Sequence, residues 1–288
     1  METALRVEGL CKRFPGFALT DVSFSLPRGY VMGFIGRNGS GKTTTIKVIM
    51  QLMRKDSGSI QVLGRDQGRD DTELRERIGF VYDEPGFHGG MSVGATGRMV
   101  APFYRHWSAT EFARLLYDFD LDPSRKAADL SRGQRMRLAL AIALAHEAEL
   151  LIMDEPTSGL DPVFRSELVD ILHGVIRDER KAVFFSTHIT SDLEKIADFV
   201  TFIDEGRIVF SESKEALQDR FRIVKGPAEA LTPRARGLCA GVRETRAGFE
   251  ALSASAGDLA DLVGSRAVVE KATLEHIMVY MTLGNGDA

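Results

Sequence analysis

A chain of 288 residues, 44% of them hydrophobic, is long enough to bury one large core with a smaller one beside it. Its 37 Lys and Arg against 41 Asp and Glu leave no basic footprint for nucleic acid or anionic lipid, and its two cysteines, Cys11 and Cys239, form no CxxC, disulfide framework or zinc site. The longest apolar run, Leu138 to Ala145, is far short of the roughly twenty residues that span a bilayer, and Met1 to Arg6 lacks the basic start and apolar core of a signal peptide, so a cytoplasmic location is expected.

In chain order, the alternating apolar positions of Leu5 to Leu10 and of Val22 to Leu26 predict half-buried strands of an antiparallel layer. Val31 to Ile35 is continuously apolar, as are Leu150 to Met153 and Ala182 to Phe185, with helical patterns between them. Continuous apolar strands separated by helices predict a parallel sheet covered on both faces, an α/β fold. Between about 92 and 148 strand signals vanish, and helical periodicity, including Glu111 to Phe119 and Gly133 to His146, predicts a helical insertion in which Trp107 is a packing anchor. Val200 to Asp204, then Glu205-Gly206, then Arg207 to Phe210 predicts a hairpin. Past Gly226-Pro227 the composition shifts to Ala, Gly and Arg, which places a boundary near 221, with domains 1–220 and 221–288 and a small α+β extension as the second.

Each fixed position of G-x-x-x-x-G-K-[ST] is filled by Gly36-Arg37-Asn38-Gly39-Ser40-Gly41-Lys42-Thr43, directly after the strand ending at Ile35 and before a helix opening at Thr44. Gly36, Asn38, Gly39, Ser40, Gly41 and Thr44 build a cradle in which backbone N–H groups and the positive helix end meet phosphate oxygens. Lys42 holds the β and γ phosphates, Thr43 offers a hydroxyl to Mg²⁺, and Asp154, after the strand Leu150 to Met153, is the expected second anchor for that ion.

Three further motifs narrow the class. Leu130-Ser131-Arg132-Gly133-Gln134 resembles the LSGGQ signature of ABC ATPases; Asp154-Glu155-Pro156-Thr157-Ser158-Gly159-Leu160-Asp161 looks like their Walker B, catalytic glutamate and D-loop; and Ser186-Thr187-His188 looks like their switch-histidine loop. The resemblance covers about residues 1–220. Phe80 to Glu84, Phe103 to Trp107 and Leu130 to Gly133 are similar to the YtrB-like branch of ABC-2-type export ATPases. The resemblance implies a P-loop NTPase fold and ATP hydrolysis with Mg²⁺. Glu155 would orient or deprotonate the attacking water, and His188 would contact the γ-phosphate and link it to Glu155. Ser131, Gly133 and Gln134 would face the nucleotide of the opposite subunit, with Asp161 in the D-loop. Phe14 stands where the family stacks adenine, with Phe17 as its rival. Ala272 to Tyr280 resembles the closing helix of export ATPases, with Thr273 as N-cap.

Two positions depart from the family pattern: Asp83 stands where the Q-loop has Gln and is carried as a metal and nucleotide candidate, and Arg132 replaces the first Gly of the signature pair. The expected partners are a second nucleotide-binding subunit, identical or paralogous, and a separate membrane permease, which would hold the chain at the inner face of the membrane; no nucleic acid is expected. The alternative is a soluble ABC ATPase acting on DNA or ribosomes. Against it, the interval from Lys42 to Ser131 is too short for a coiled-coil arm and the chain has one nucleotide domain.

Overall fold

The computed structural model describes residues 2–68 and 71–284. The chain divides into two compact units, Met1–Ser211 and Glu212–Ala288.

The first unit opens on β1 (Thr3–Phe14) and β2 (Phe17–Pro27), paired antiparallel from Thr3 opposite Pro27 to Phe14 opposite Phe17. β1 is longer than its alternating stretch because β2 pairs with it out to Thr3 and to Phe14, while β4 (Ser57–Val62) pairs along its other edge from Leu5 to Cys11. With β5 (Arg65–Asp66) they form a sheet of order β2-β1-β4-β5. The apolar side chains of β2, Val22, Phe24 and Leu26, are buried while their neighbours face out, as a one-sided sheet requires.

The second sheet holds β3 (Val31–Ile35), β6 (Ile78–Val81), β7 (Leu150–Met153), β8 (Ala182–Thr187), β9 (Phe199–Asp204) and β10 (Arg207–Ser213), in the order β10-β9-β3-β8-β7-β6. β3 runs parallel to β8 and β9, and β7 runs parallel to β6 and β8. Every residue of β3, β7 and β8 is buried. Phe24 from the first sheet meets Phe34 and Phe184 from the second, each with ring centroids 5.4 Å apart, at the centre of the shared core. The parallel register matters for function. Ile35 lies opposite Thr187, Phe185 opposite Met153, and Met153 opposite Val81. The loops that follow these residues therefore emerge side by side along one sheet edge, where doubly wound folds bind ligands.

Helices fill the connections: α1 (Lys42–Ile49), α2 (Thr72–Glu76), α3 (Val93–Val100), α4 (Ala109–Asp118), α5 (Arg132–Leu144), α6 (Pro162–Ile176) and α7 (Thr190–Ile196). From 92 to 148 the described backbone is α3, α4, α5 and short 3₁₀ turns, with an isolated bridge between Ser92 and Lys126. Trp107 packs on Phe112 of α4, centroids 5.2 Å apart. His146 is buried, stacked on Tyr104, with Nδ1 3.0 Å from the Glu76 carbonyl.

Below the sheet, Glu149 accepts from Arg77 at 2.5 and 2.9 Å and from Arg28 at 2.8 Å, tying the starts of β6 and β7 to the end of β2. Arg77 first, then Arg28, hold the Glu149 carboxyl at about 2, against an ordinary 4.5. A depressed carboxyl stabilises the fold above its unfolded pKa and loses that contribution as pH falls through its folded one. Glu149→Gln should therefore melt below wild type at neutral pH, and the gap should close between pH 4.5 and about 2. A gap in melting temperature that stays constant over that window would remove the assignment.

In the second unit, α8 (Lys214–Arg220) leads into β11 (Arg222–Gly226), α9 (Pro233–Arg236), β12 (Gly241–Thr245), β13 (Gly248–Ser253), α10 (Ala256–Val263), β14 (Val268–Lys271) and α11 (Leu274–Gly284). The unit begins ahead of the boundary expected near 221 because α8 packs on α11, and Arg220 pairs with Glu212. The antiparallel sheet, ordered β12-β13-β11-β14, encloses Val224, Phe249, Ala251 and Leu259. Thr273 caps α11, its Oγ1 accepting from the His276 N–H at 3.2 Å.

Candidate functional site

The loop between β3 and α1 carries the phosphate-binding sequence, and α1 is unusual in how it begins. α2, α3, α4, α5 and α6 each start under a side-chain cap, from Asp71, Ser92, Ser108, Ser131 and Asp161 respectively, and α7, which has none, carries Asp192 in its first turn. α1 starts at Gly41 with no side-chain cap and no acidic residue in its first turn. Its orphan N–H groups and positive end are left for an external anion. Gly41 has φ 111°, and a Cβ there would stand 2.5 Å from Leu19, so no larger residue shapes this turn. Ser40 Oγ is buried without a partner, in the room that Gly36 leaves by having no Cβ, which would stand 2.4 Å from it. Lys42 is buried, its ammonium donating to the carbonyls of Gly36 at 2.8 Å and Arg37 at 3.2 Å and pairing with Glu155 Oε1 at 3.1 Å.

Asp154 and Glu155 follow β7. Thr43 Oγ1 lies 3.3 Å from Asp154 Oδ1, and Ser186 Oγ donates to the same oxygen at 2.6 Å. Ser186 also accepts from the Glu155 N–H at 3.0 Å. One buried hydroxyl thus fixes the Asp154 carboxylate and the Glu155 backbone, a role that sequence reasoning left unassigned; the signal was a serine directly after the apolar run Ala182 to Phe185. Glu155 has φ 49°, a left-handed backbone that costs energy for a residue with a Cβ and turns its carboxylate back toward the loop. His188, just past β8, places Nδ1 2.8 Å from Glu155 Oε2. The Glu155 carboxylate therefore sits between the Lys42 ammonium and the His188 imidazole. Among the described residues no group of three or more His, Cys, Asp or Glu could cage a metal. A hydroxyl beside a single carboxylate, both hard oxygen donors, is the protein share suited to Mg²⁺, which takes its remaining ligands from phosphate and water.

Lys42, Thr43, Glu155 and His188 share a cleft of about 520 Å³ lined also by Phe17, Asn38, Gly39, Gly41, Thr44, Asp83 and Ser158; Gly36, Ser40, Asp154 and Ser186 are not in its lining. Phe14 is not in its lining; it is exposed at the end of β1, its ring stacked on Phe17 with centroids 6.3 Å apart. Asp83 faces the cleft from the end of β6, and its Oδ1 accepts from Arg132 Nη2 at 2.6 Å. Loss of water pushes the Asp83 carboxyl above the usual carboxylate range, with Arg132 opposing that shift. Ser131, Gly133, Gln134 and Asp161 stand outside this cleft. Ser131 caps α5 in a reciprocal capping box with Gln134. Asp161 caps α6, accepting from Val163 and Phe164, and these bonds, the Phe164 one first, hold its carboxyl low.

A phosphate-loop sequence at the C-terminal edge of a parallel sheet, with an acid pair after β7, one strand further along beyond β8, defines a P-loop nucleotide triphosphatase. The "ABC transporter" family model matches residues 19–158. The chain is 31% identical to the bacitracin transport ATP-binding protein BcrA of Bacillus licheniformis, over 77% of this chain and 74% of that one. It is 34% identical to the lantibiotic transport ATP-binding protein SrtF of Streptococcus pyogenes, over 75% and 95% of the two chains. A solved structure described as the ATP binding subunit of an ABC transporter superposes with a TM-score of 0.67 at 26% identity, covering 75% of this chain and 92% of that one. The chain belongs to the ABC transporter family, as one of its ATP-binding, ATP-hydrolysing subunits.

Proposed function

We propose that this chain is the motor of an ABC exporter: two copies, or this chain and a paralogue, close over two ATP molecules and drive a separate membrane permease. The observation that carries this reading is the division of the site. Lys42, Glu155 and His188 converge in the chain's own cleft, while Ser131 and Gly133, a hydroxyl and a backbone N–H at a helix start, stand outside it. In the family such groups serve the nucleotide of the opposite subunit, so each chain holds part of two sites. No helix among the described residues is long and apolar enough to cross a membrane, which leaves the membrane path to another chain. The alternative on DNA or ribosomes gains nothing from the interval between Lys42 and Ser131, whose described helices are ten residues or shorter.

In this reading ATP lies with its phosphates on the loop from Gly36 to Thr44 and its adenine toward Phe14 and Phe17. Lys42 turns its ammonium from the Gly36 and Arg37 carbonyls to the β and γ phosphates. Glu155 orients the attacking water and takes its proton on a carboxylate oxygen, while His188 holds the other oxygen and faces the γ-phosphate. Thr43 and Asp154 would hold Mg²⁺, which neutralises phosphate charge when bound; Asp83 faces the same cleft, with its Oδ1 on Arg132. The chain would sit at the cytoplasmic face of the membrane, with permease helices docking between Asp83 and Trp107, where Phe103 is exposed.

Expression beside a neighbouring membrane-protein gene should move the chain into the membrane fraction and allow both to be recovered from detergent in equal numbers. A cysteine at Phe103 should cross-link to that partner. Co-purification with cross-links only from residues 221–288 would move the docking surface, and pelleting with ribosomes or DNA instead would overturn the transporter reading.

A further inference from the structure

The two departures from the family pattern touch each other. Asp83 follows β6 by two residues and Arg132 opens α5, yet the carboxylate and guanidinium meet at 2.6 Å. An exposed ion pair alone contributes little, and both side chains are a third or more exposed, 41% and 36%. What sets this pair apart is where it is attached. The far end of α5 already lies hard against β6: a Cβ on Gly79 would stand 2.9 Å from the Ala143 carbonyl and 3.1 Å from the Ala143 methyl. The near end is the signature turn, and there the Asp83 bond ties α5 to the chain that leaves the same strand. The Arg132 guanidinium also rests on the D-loop. Gly159 sits at φ 65°, and a Cβ there would fall 2.6 Å from Arg132 Nη1.

We infer that Asp83 and Arg132 form an intrasubunit strap that fixes the rotation of the signature turn about its attachment on β6. They act as positioning residues for ATP hydrolysis. The capping box ties Ser131 to Gln134, and Arg135 ties α5 to the Leu130 carbonyl, but neither bond reaches β6 or the chain that leaves it. Anchoring the side chain of the first α5 residue at one end of the cleft supplies that link. It also keeps a long cation from standing over the Gly133 N–H, which an acceptor must approach closely. The strap rests on the proposed role of Ser131 and Gly133 toward a second nucleotide. It does not depend on the role of Glu155.

The test uses the full chain as Asp83→Ala, Arg132→Ala and the exchanged pair D83R/R132D. One readout needs no nucleotide: hydrogen exchange of the Arg135 amide, which donates to the Ser131 carbonyl at 2.9 Å. Each single substitution should speed that exchange and lower kcat by about fivefold, the scale of one partly exposed ion pair, with KM for ATP nearly unchanged. The exchanged pair should recover most of both, and Arg132→Lys, which keeps the charge without the fork, should fall between. Wild-type exchange and kcat in either alanine variant would overturn the strap. So would an exchanged pair no better than the single variants at equal melting temperature. If Asp83→Ala raises the Mg²⁺ needed for half-maximal activity and Arg132→Ala does not, Asp83 serves the metal and the strap is wrong. Glu155→Gln losing turnover while both alanine variants behave as wild type would remove the strap and leave the ATPase reading standing.

Discussion

Glu155→Gln is expected to bind ATP and fail to turn it over, with kcat falling by at least about a hundredfold, the lower bound for losing a general base. The substitution is nearly isosteric, so the contacts around it isolate the chemistry. In the native site one carboxylate oxygen faces His188 Nδ1 at 2.8 Å and the other faces Lys42 Nζ at 3.1 Å. The backbone is set by φ 49° and by the N–H bond to Ser186, neither of which depends on the side chain being charged. The amide oxygen can still accept from Lys42 or from a protonated His188 Nδ1, so the cleft keeps its shape. What the amide cannot do is accept the proton of the attacking water. Because the proposed phosphate contacts are Lys42, the α1 N-terminus and the loop backbone, affinity for ATP should stay close to wild type. ATP-bound dimers should then accumulate, visible as an earlier peak in size-exclusion chromatography with ATP. Phosphate release at near the wild-type rate would take Glu155 out of the catalytic role.

How far such a site can be read from sequence depends on whether its geometry is local. The strand, turn and helix start of the phosphate-loop sequence were legible because they are consecutive and Gly39 and Gly41 take positive φ there, whereas Gly36 answers a distant contact, since a Cβ on it would stand 2.3 Å from the Ile203 carbonyl. The β9–β10 hairpin was equally legible: Glu205 and Gly206 both take positive φ, 43° and 76°, as a two-residue turn requires. Contacts between distant segments were not. Ser186 reads only as the first residue of the Ser186-Thr187-His188 motif, and the β7–β8 register is what places it beside Asp154 and Glu155. Asp83 and Arg132 each read as an isolated departure until the fold brings them together. Phe14 and Phe17 are separable only by pairing, since the β1–β2 turn sets them opposite each other and turns Phe17 to the cleft. The second unit was read coarsely as α+β. Its strands are short, and one of them, β14, is exposed along its whole length and so carries no buried alternation.

Lys42→Ala should give the converse of Glu155→Gln: affinity is lost first. Without nucleotide the ammonium has Gly36 O, Arg37 O and Glu155 Oε1 at 2.8, 3.2 and 3.1 Å, so its three N–H donors all have partners inside the chain. Phosphate must therefore offer more than those contacts, and it does, by replacing two neutral carbonyls with anionic oxygens. Charge-assisted hydrogen bonds are worth about 1.5–3 kcal/mol each, so losing one such contact should weaken ATP binding by roughly 10- to 150-fold. A direct titration with a non-hydrolysed ATP analogue measures this without relying on turnover. Alanine also empties a buried site, and a collapsed loop would imitate a lost charge. Lys42→Met separates the two, because it keeps an apolar stem of similar length and removes only the ammonium. Both variants should bind ATP weakly while melting within a few degrees of wild type, since Lys42 is one residue of a core built mainly by the two sheets. If Lys42→Met keeps wild-type affinity while Lys42→Ala loses it, the stem and not the charge carries binding. If both keep it, the phosphates are held by the loop backbone and the α1 N-terminus alone, and Lys42 belongs with Glu155 in turnover.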